Sequence, residues 1–320
     1  MQPFQFTVEP YLSGVRVDSF LCRHLRNYTS WRLHRMVCEG LVTVNDMPVD
    51  PHQRLFKGQT VSIRLIEPPD KLLEAQPAPL DIIWEDPWLL VLNKSVGVVA
   101  HPVGEFQDGS LCNAIQAYLD TKTRAPGILR PGIVHRLDRM TSGLLVVAKD
   151  HASHRLLSLD FQGGRPQKSY LALVEGSPEF EALTIDLPVG IRAGNNSVLM
   201  STHSSARNIR KAKTDVSVLN RYNSCSLVQC ELHTGRHHQI RVHMAAVGHP
   251  VLGDDFYAAH GEIRETPRFD GGSPTNDRHA LHASRLSFQH PILNHQLEFT
   301  AKPGVDFWSM INSSGSLSAE

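Results

Sequence analysis

Apolar residues recur along the N-terminal stretch with two different periods. In VDSFLCRHL (17–25) and WRLHRMVCEG (31–40) they return every three or four residues, as on a helix with one buried face. LVTVN (41–45) and TVSIRL (60–65) alternate instead, as half-buried strands do. This predicts a small helix-helix-strand unit with its own core. Asp18 and Ser30 suit helix N-caps, Gly40 the left-handed end of the second helix, and Gly58 the turn into the last strand. EPPDKLLEAQPAPL (67–80) breaks both periods with proline and charge, as an inter-domain linker does.

Beyond it, IIWEDPWLLVLNK predicts two strands joined at Asp86-Pro87, LLVVAK a buried strand, and SYLALVEG, TDVSVLN and SLVQCELH further strands. Helices fall between them without regular alternation. The expected class is therefore α+β: a mixed, largely antiparallel sheet in the large domain, preceded by a small α/β unit. The expected boundaries are 13–67 and 81–310, with a linker over 68–80 and a disordered tail over 311–320.

Composition narrows the function classes. Across 320 residues, 32 basic side chains balance 32 acidic ones, so no whole-molecule field announces a polyanionic partner. Between Asp18 and Glu39, however, Arg23, Arg26, Arg32 and Arg35 stand with His24 and His34 and no carboxylate. That face suits either solvated surface or phosphate contact. Five scattered cysteines with no CxxC pair argue against a disulfide framework or a thiolate zinc cage and suit a reducing compartment. With no basic-then-apolar leader and no membrane-length apolar run, a soluble cytoplasmic protein is expected.

The densest chemistry lies in RPGIVHRLDRMTSGLLVVAKD (130–150), where a turn carrying His135, Arg136, Asp138, Arg139, Thr141 and Ser142 runs straight into a buried strand. Taken alone, Asp138 fits a turn-capping carboxylate as well as a catalytic one. HTGRHHQIRVHMAAVG (233–248) sets Ile240, Met244 and Val247 at helical spacing, with Thr234 as N-cap and Gly248 as stop. Arg241 then sits on a rigid helix, either solvated or aimed inward. His237 and His238, as helix neighbours, would point apart. With no HExxH element or paired cysteines, the histidines are not read as a metal site.

Five segments resemble, in order, motifs of the RluA-type family, the ribosomal large-subunit and related pseudouridine synthases: LVLNKSVGVVAHP (90–102), HRLDRMTSG (135–143), RPQKSYLALVEG (165–176), ELHTGRHHQIRVHMAAVGHPVLGD (231–254) and HALHASRLSFQHP (279–291). The resemblance implies isomerisation of uridine to pseudouridine in RNA without metal or organic cofactor. It makes Asp138 the catalytic residue, Arg241 its charge partner and Tyr170 the residue against the target base. Ile240 would wall the base pocket, and Arg136, Lys168 and Arg236 would contact RNA or brace the site. Ser95 and Met140 depart from the family pattern, which bears on loop shape and substrate contacts. The insertion over 260–277 suits target choice. RVDSFL, SWRLHRMVCEGLVTVND and KGQTVSI resemble the alpha-L RNA-binding domain of the S-four type, with Asp46 in place of the usual glycine. That resemblance gives Arg23, Arg26, Arg32 and Arg35 an RNA-binding role.

The chemistry suits these residue types. A carboxylate can attack the sugar, stabilise positive charge developing there, or remove a sugar proton, and the sequence leaves all three open. Each requires a charged Asp138 in a site that excludes solvent, hence a cationic partner, and a planar guanidinium can hold a carboxylate through two bonds. Tyr170 could stack on the base, worth roughly 1–3 kcal/mol, or could be ordinary cross-strand packing. A uridine in folded RNA must first be extruded, at a cost of a few kcal/mol. The expected partner is structured RNA, ribosomal ahead of transfer RNA, and the expected state monomeric. Competing readings are a transfer-RNA synthase, a non-catalytic RNA-binding or ribosome-assembly protein on the same fold, and a histidine-based metal hydrolase.

Overall fold

The computed structural model describes residues 3–26, 28–64, 74–102, 108–123, 129–193, 198–264 and 278–313. The N-terminal unit comprises β1 (Phe4–Thr7), α1 (Val17–His24), α2 (Ser30–Cys38), β2 (Val42–Val44), β3 (Met47–Pro48) and β4 (Thr60–Ile63). Its strands pair antiparallel in the order β1-β4-β2-β3. The periodic residues meet in a core of their own: Phe20 and Leu21 from α1, Leu33 and Val37 from α2, and Val42, Val44, Val61 and Ile63 from the sheet.

The helix caps differ from expectation. α1 starts behind Arg16, and Asp18 lies inside the first turn, where it bonds Arg16 and Ser19. α2 is capped one residue earlier than expected, by the Thr29 hydroxyl, which accepts the Arg32 N–H at 3.2 Å. Asp46, at φ 63°, supplies the left-handed turn expected of a glycine.

The larger unit contains β5 (Ile82–Glu85), β6 (Leu89–Lys94), α3 (Leu111–Asp120), β7 (Gly132–Ile133), β8 (Ser142–Ala148), α4 (His151–Gln162), β9 (Gln167–Glu175), β10 (Ala182–Ile185), β11 (Val189–Ile191), β12 (Met200–Ser201), β13 (Arg207–Arg210), β14 (Thr214–Arg221), β15 (Cys225–Leu232), α5 (Gln239–Ala246), β16 (Leu281–Gln289), β17 (Gln296–Thr300) and α6 (Val305–Ser313). A ten-stranded sheet runs β10-β14-β15-β9-β16-β8-β6-β5, with β17 on β16 and β7 on β8; β11, β12 and β13 form a separate three-stranded sheet. Among the described strands only the β16–β8 contact is parallel. The fold is α+β, mixed and mostly antiparallel, as the irregular placement of helices predicted.

β8 is buried throughout because both of its faces are covered. Leu145 and Val147 pack with Leu111, Ile115 and Leu119 of α3 on one side. Leu144 and Val146 meet Leu157 of α4 and Phe288 on the other. At the mouth of β8 the parallel step forces Gly143, at φ +114°, against β16: a Cβ there would lie 2.3 Å from the Ala283 carbonyl oxygen. This close approach sets the turn carrying Asp138 beside the start of β16.

α6 packs Phe307 and Met310 against Leu173 and Leu227. The tail expected from 311 therefore begins as helix, while 314–320 lie outside the described residues, as do 65–73 of the linker region and 265–277 of the insertion. The two units touch where Arg26 pairs with buried Asp150, the N-cap of α4, and the Arg26 carbonyl accepts the His151 N–H at 3.1 Å.

Candidate active site

Asp138 closes the turn before β8, its carbonyl accepting the Thr141 N–H at 3.0 Å. Its carboxylate faces a cavity of about 60 Å³ whose walls include Arg136, Tyr170, Arg236, His238, Ile240 and Arg241. These residues come from the turn itself, β9 and the entry of α5, so strands and helix ends far apart in sequence converge on one carboxylate.

α5 is buried from Gln239 to Ala245, which settles the direction of Arg241: it points inward. Its main partner is not Asp138. Arg241 Nε and Nη2 donate to the two oxygens of Asp254 at 2.6 and 2.8 Å, leaving Nη1 to reach Asp138 Oδ2 at 3.4 Å. The fork expected on Asp138 thus grips Asp254 and offers Asp138 one free edge. Burial disfavours the Arg241 charge, but the bonds to Asp254 and the fields of Asp254 and Asp138 outweigh it and raise the pKa. The Phe256 and Tyr257 rings each lie 5.3 Å from the guanidinium carbon and add cation–π attraction.

Sequence reasoning missed Asp254. It is fully buried and also accepts the backbone N–H groups of Phe256 and Tyr257, at 2.9 and 3.1 Å. Its signal was the GHPVLGD end of the third motif: Gly253, at φ +75°, would carry a Cβ 2.3 Å from the Arg278 carbonyl oxygen.

The entry to α5 differs from expectation too. His238, left-handed at φ 54°, occupies the N-cap position, while Thr234 instead donates to Gln239 Oε1 at 2.8 Å. His237 therefore lies outside the helix, and the two imidazole rings approach to 3.9 Å rather than pointing apart. Donor atoms of Asp138, His237 and His238 all lie within 4.8 Å of one another. His238 Nε2 stands 3.7 Å from Asp138 Oδ2, and its Nδ1 is 2.7 Å from Tyr257 Oη, which also accepts the Met200 N–H at 3.0 Å. Burial, reinforced by Arg241, pushes the His238 pKa far below its ordinary value, so the ring is neutral.

Tyr170 on β9 is buried opposite Cys230 and Ala283. Burial, and then the Asp138 charge, raises its hydroxyl pKa, so the phenol keeps its proton. Ile240, buried next to Arg241, joins it in the wall. Arg136 is exposed at the cavity, and Arg236 Nε donates to the Lys211 carbonyl at 3.0 Å. Lys168 packs over Gly235, where a Cβ would meet its Nζ at 3.4 Å; burial and then Arg236 lower its pKa.

Two supporting residues lie within the motif segments but were given no role by the sequence. Lys94, buried at the end of β6, donates to the carbonyls of Ser95, Val98 and Arg139 at 2.8, 3.0 and 3.2 Å, tying the first motif to the Asp138 turn. Burial pulls its pKa to about 7 against the upward pull of Asp138. His135 Nε2 accepts the Val146 N–H at 3.1 Å, its ring stacked 4.5 Å from Phe161, and burial lowers its pKa to about 3.

The N-terminal arginines do not act alike. Arg26 is committed to Asp150 and Arg35 bonds Glu39 at 3.1 Å. Arg23 is exposed, and Arg32 lies 5.5 Å from the centre of the Tyr28 ring.

Residues 88–246 match the family described as RNA pseudouridylate synthase, and the chain belongs to that family of RNA-acting isomerases. Among its relatives, the Bacillus subtilis protein named "Uncharacterized RNA pseudouridine synthase YlyB" is 34% identical over 313 residues, spanning 98% of each chain. The "Ribosomal large subunit pseudouridine synthase D" of Neisseria meningitidis serogroup A is 35% identical, over 96% of this chain and 80% of that one. The solved structure of "Human RNA Pseudouridylate Synthase Domain Containing 1" matches with a TM-score of 0.56 and 28% identity, over 71% of this chain and 86% of that one. Among the described residues, no helix is long and apolar enough to cross a membrane.

Proposed function

We propose that the chain isomerises particular uridines of large-subunit ribosomal RNA, with Asp138 acting on the ribose. The observation that carries this reading is the 3.4 Å approach of Arg241, itself locked by Asp254, to the one carboxylate that faces the cavity beside Tyr170. A fixed cation there favours the charged carboxylate that every route at the sugar needs. Tyr170 and Ile240 hold the extruded base while it turns. Arg136, Lys168 and Arg236 contact the flanking backbone. The names of relatives such as the Neisseria meningitidis synthase favour ribosomal over transfer RNA.

The N-terminal unit, expected over 13–67 and including β1 from Phe4 in the structure, adds phosphate contacts, chiefly through Arg23 and Arg32, to structured RNA read by shape. The protein works as a monomer in the cytoplasm; the redox-neutral isomerisation consumes no redox cofactor, and the family resemblance implies no metal. Pseudouridine mapping of RNA from cells with and without the gene tests this. Specific ribosomal sites should disappear with the gene and stay absent when only Asp138→Asn is restored. Sites that return with that variant would contradict the assignment.

A further inference from the structure

We propose that Asp138, His237 and His238 form an inhibitory site for zinc or a similar divalent transition ion. The inhibition rests on the reading above that the free Asp138 carboxylate acts on the ribose; the binding does not.

Zinc at about 2.0–2.2 Å from nitrogen and oxygen ligands sets tetrahedral donors about 3.3–3.5 Å apart. His238 Nε2 and Asp138 Oδ2 stand 3.7 Å apart, and a His237 nitrogen lies within 4.8 Å of both. No hydrogen bond restrains the His237 ring among the described residues, so it can turn toward the other two ligands. With His238 Nε2 on the metal its proton moves to Nδ1, where Tyr257 Oη accepts it at 2.7 Å; such an outer bond orients metal-bound histidines. Arg241 Nη1, 3.4 Å from the same Asp138 oxygen, must yield that edge to a metal, but the Arg241 charge is offset by the Asp254 carboxylate that takes its other two bonds, and Arg136 is exposed on a long stem. Occupancy neutralises the carboxylate the isomerisation requires and crowds the cavity.

The intact protein, freed of metal with a chelator, would be titrated with cobalt(II), whose visible absorption reports four-coordinate nitrogen and oxygen ligation, and assayed for pseudouridine formation with added zinc. We expect one saturable cobalt site and loss of activity as zinc fills it, reversed by chelator. His237 does not line the cavity, so His237→Ala and His237→Asn should keep their activity in chelator. Their metal affinity should fall by more than the roughly 10–100-fold lost with an outer partner. Asp138→Asn should lose the cobalt band as well. No saturable site in the unaltered protein, or zinc inhibition undiminished in both His237 variants, would overturn the proposal. Cobalt binding in a protein that never forms pseudouridine would count against the functional reading and leave the metal site standing.

Discussion

Replacing Asp254 by asparagine removes the charge that anchors Arg241 while leaving the shape of the site almost unchanged. The Arg241 and Asp254 side chains are 4% and 0% exposed, so water cannot compensate the orphaned guanidinium. Breaking a buried pair on one side costs about 3–5 kcal/mol. Asparagine keeps one carbonyl oxygen, so one of the contacts now at 2.6 and 2.8 Å survives, and Asp138, 3.4 Å away, can draw closer. Both effects place the loss near the lower limit, about 3 kcal/mol. With a urea slope of about 1–3 kcal/mol per molar, the midpoint should fall by about 1 M or more. Activity measured well below that midpoint should fall too, because Arg241 now claims Asp138 directly. Urea unfolding followed by circular dichroism, paired with pseudouridine formation, checks both. Arg241→Lys should mimic the defect, since an ammonium cannot form the fork. An unchanged midpoint with normal turnover would refute the idea that Asp254 holds the site together.

The family resemblance lets the Tyr170 hydroxyl assist proton removal from carbon five of the turned base. Tyr170→Phe keeps the ring and removes that hydroxyl, so RNA affinity should persist while turnover slows; binding and single-turnover assays separate the two, and unaltered turnover would reduce Tyr170 to a platform. His135 stays neutral in the folded protein down to about pH 3, whereas the unfolded chain takes up that proton near its ordinary value of about 6.5. Its contribution to stability is therefore present above about 6.5 and is lost as pH falls toward about 3. His135→Asn should show a smaller loss of urea midpoint between about pH 7 and about pH 5 than the unaltered protein. Arg23→Gln with Arg32→Gln should weaken RNA binding and flatten its salt dependence by about 0.7–0.9 in slope per lost phosphate contact, read from binding isotherms at several salt concentrations.

The sheet was legible wherever packing made its mark on sequence. β8 reads as an apolar run because both faces are covered, and β14 begins in alternation because one of its faces is open, whereas β15, between β14 and β9, is buried from Cys225 to Val228. Helix ends were less legible. Thr29, Arg16 and His238 occupy the cap positions where Ser30, Asp18 and Thr234 were expected, since neighbouring polar residues compete and tertiary contacts choose. In the site, motif order pointed to Asp138, Tyr170 and Arg241. Asp254 stayed hidden because the chain must fold back after α5 to bring it to Arg241, and no period records that return. The paired imidazoles were hidden for a local reason: one left-handed residue, His238, cancels the helical geometry that would have parted them. Arg26 looked like part of a free cationic face because its partner lies 124 residues away.

The central claim is that one carboxylate, Asp138, performs the chemistry in the turn before β8. Purified protein and its Asp138→Asn variant, each in excess over unmodified large-subunit ribosomal RNA, would be compared in a single-turnover assay for pseudouridine. The account predicts pseudouridine at defined positions with the unaltered protein. It predicts none with the variant, although the variant still folds and binds the RNA. Pseudouridine formed at the same positions by the folded, RNA-bound variant would contradict it.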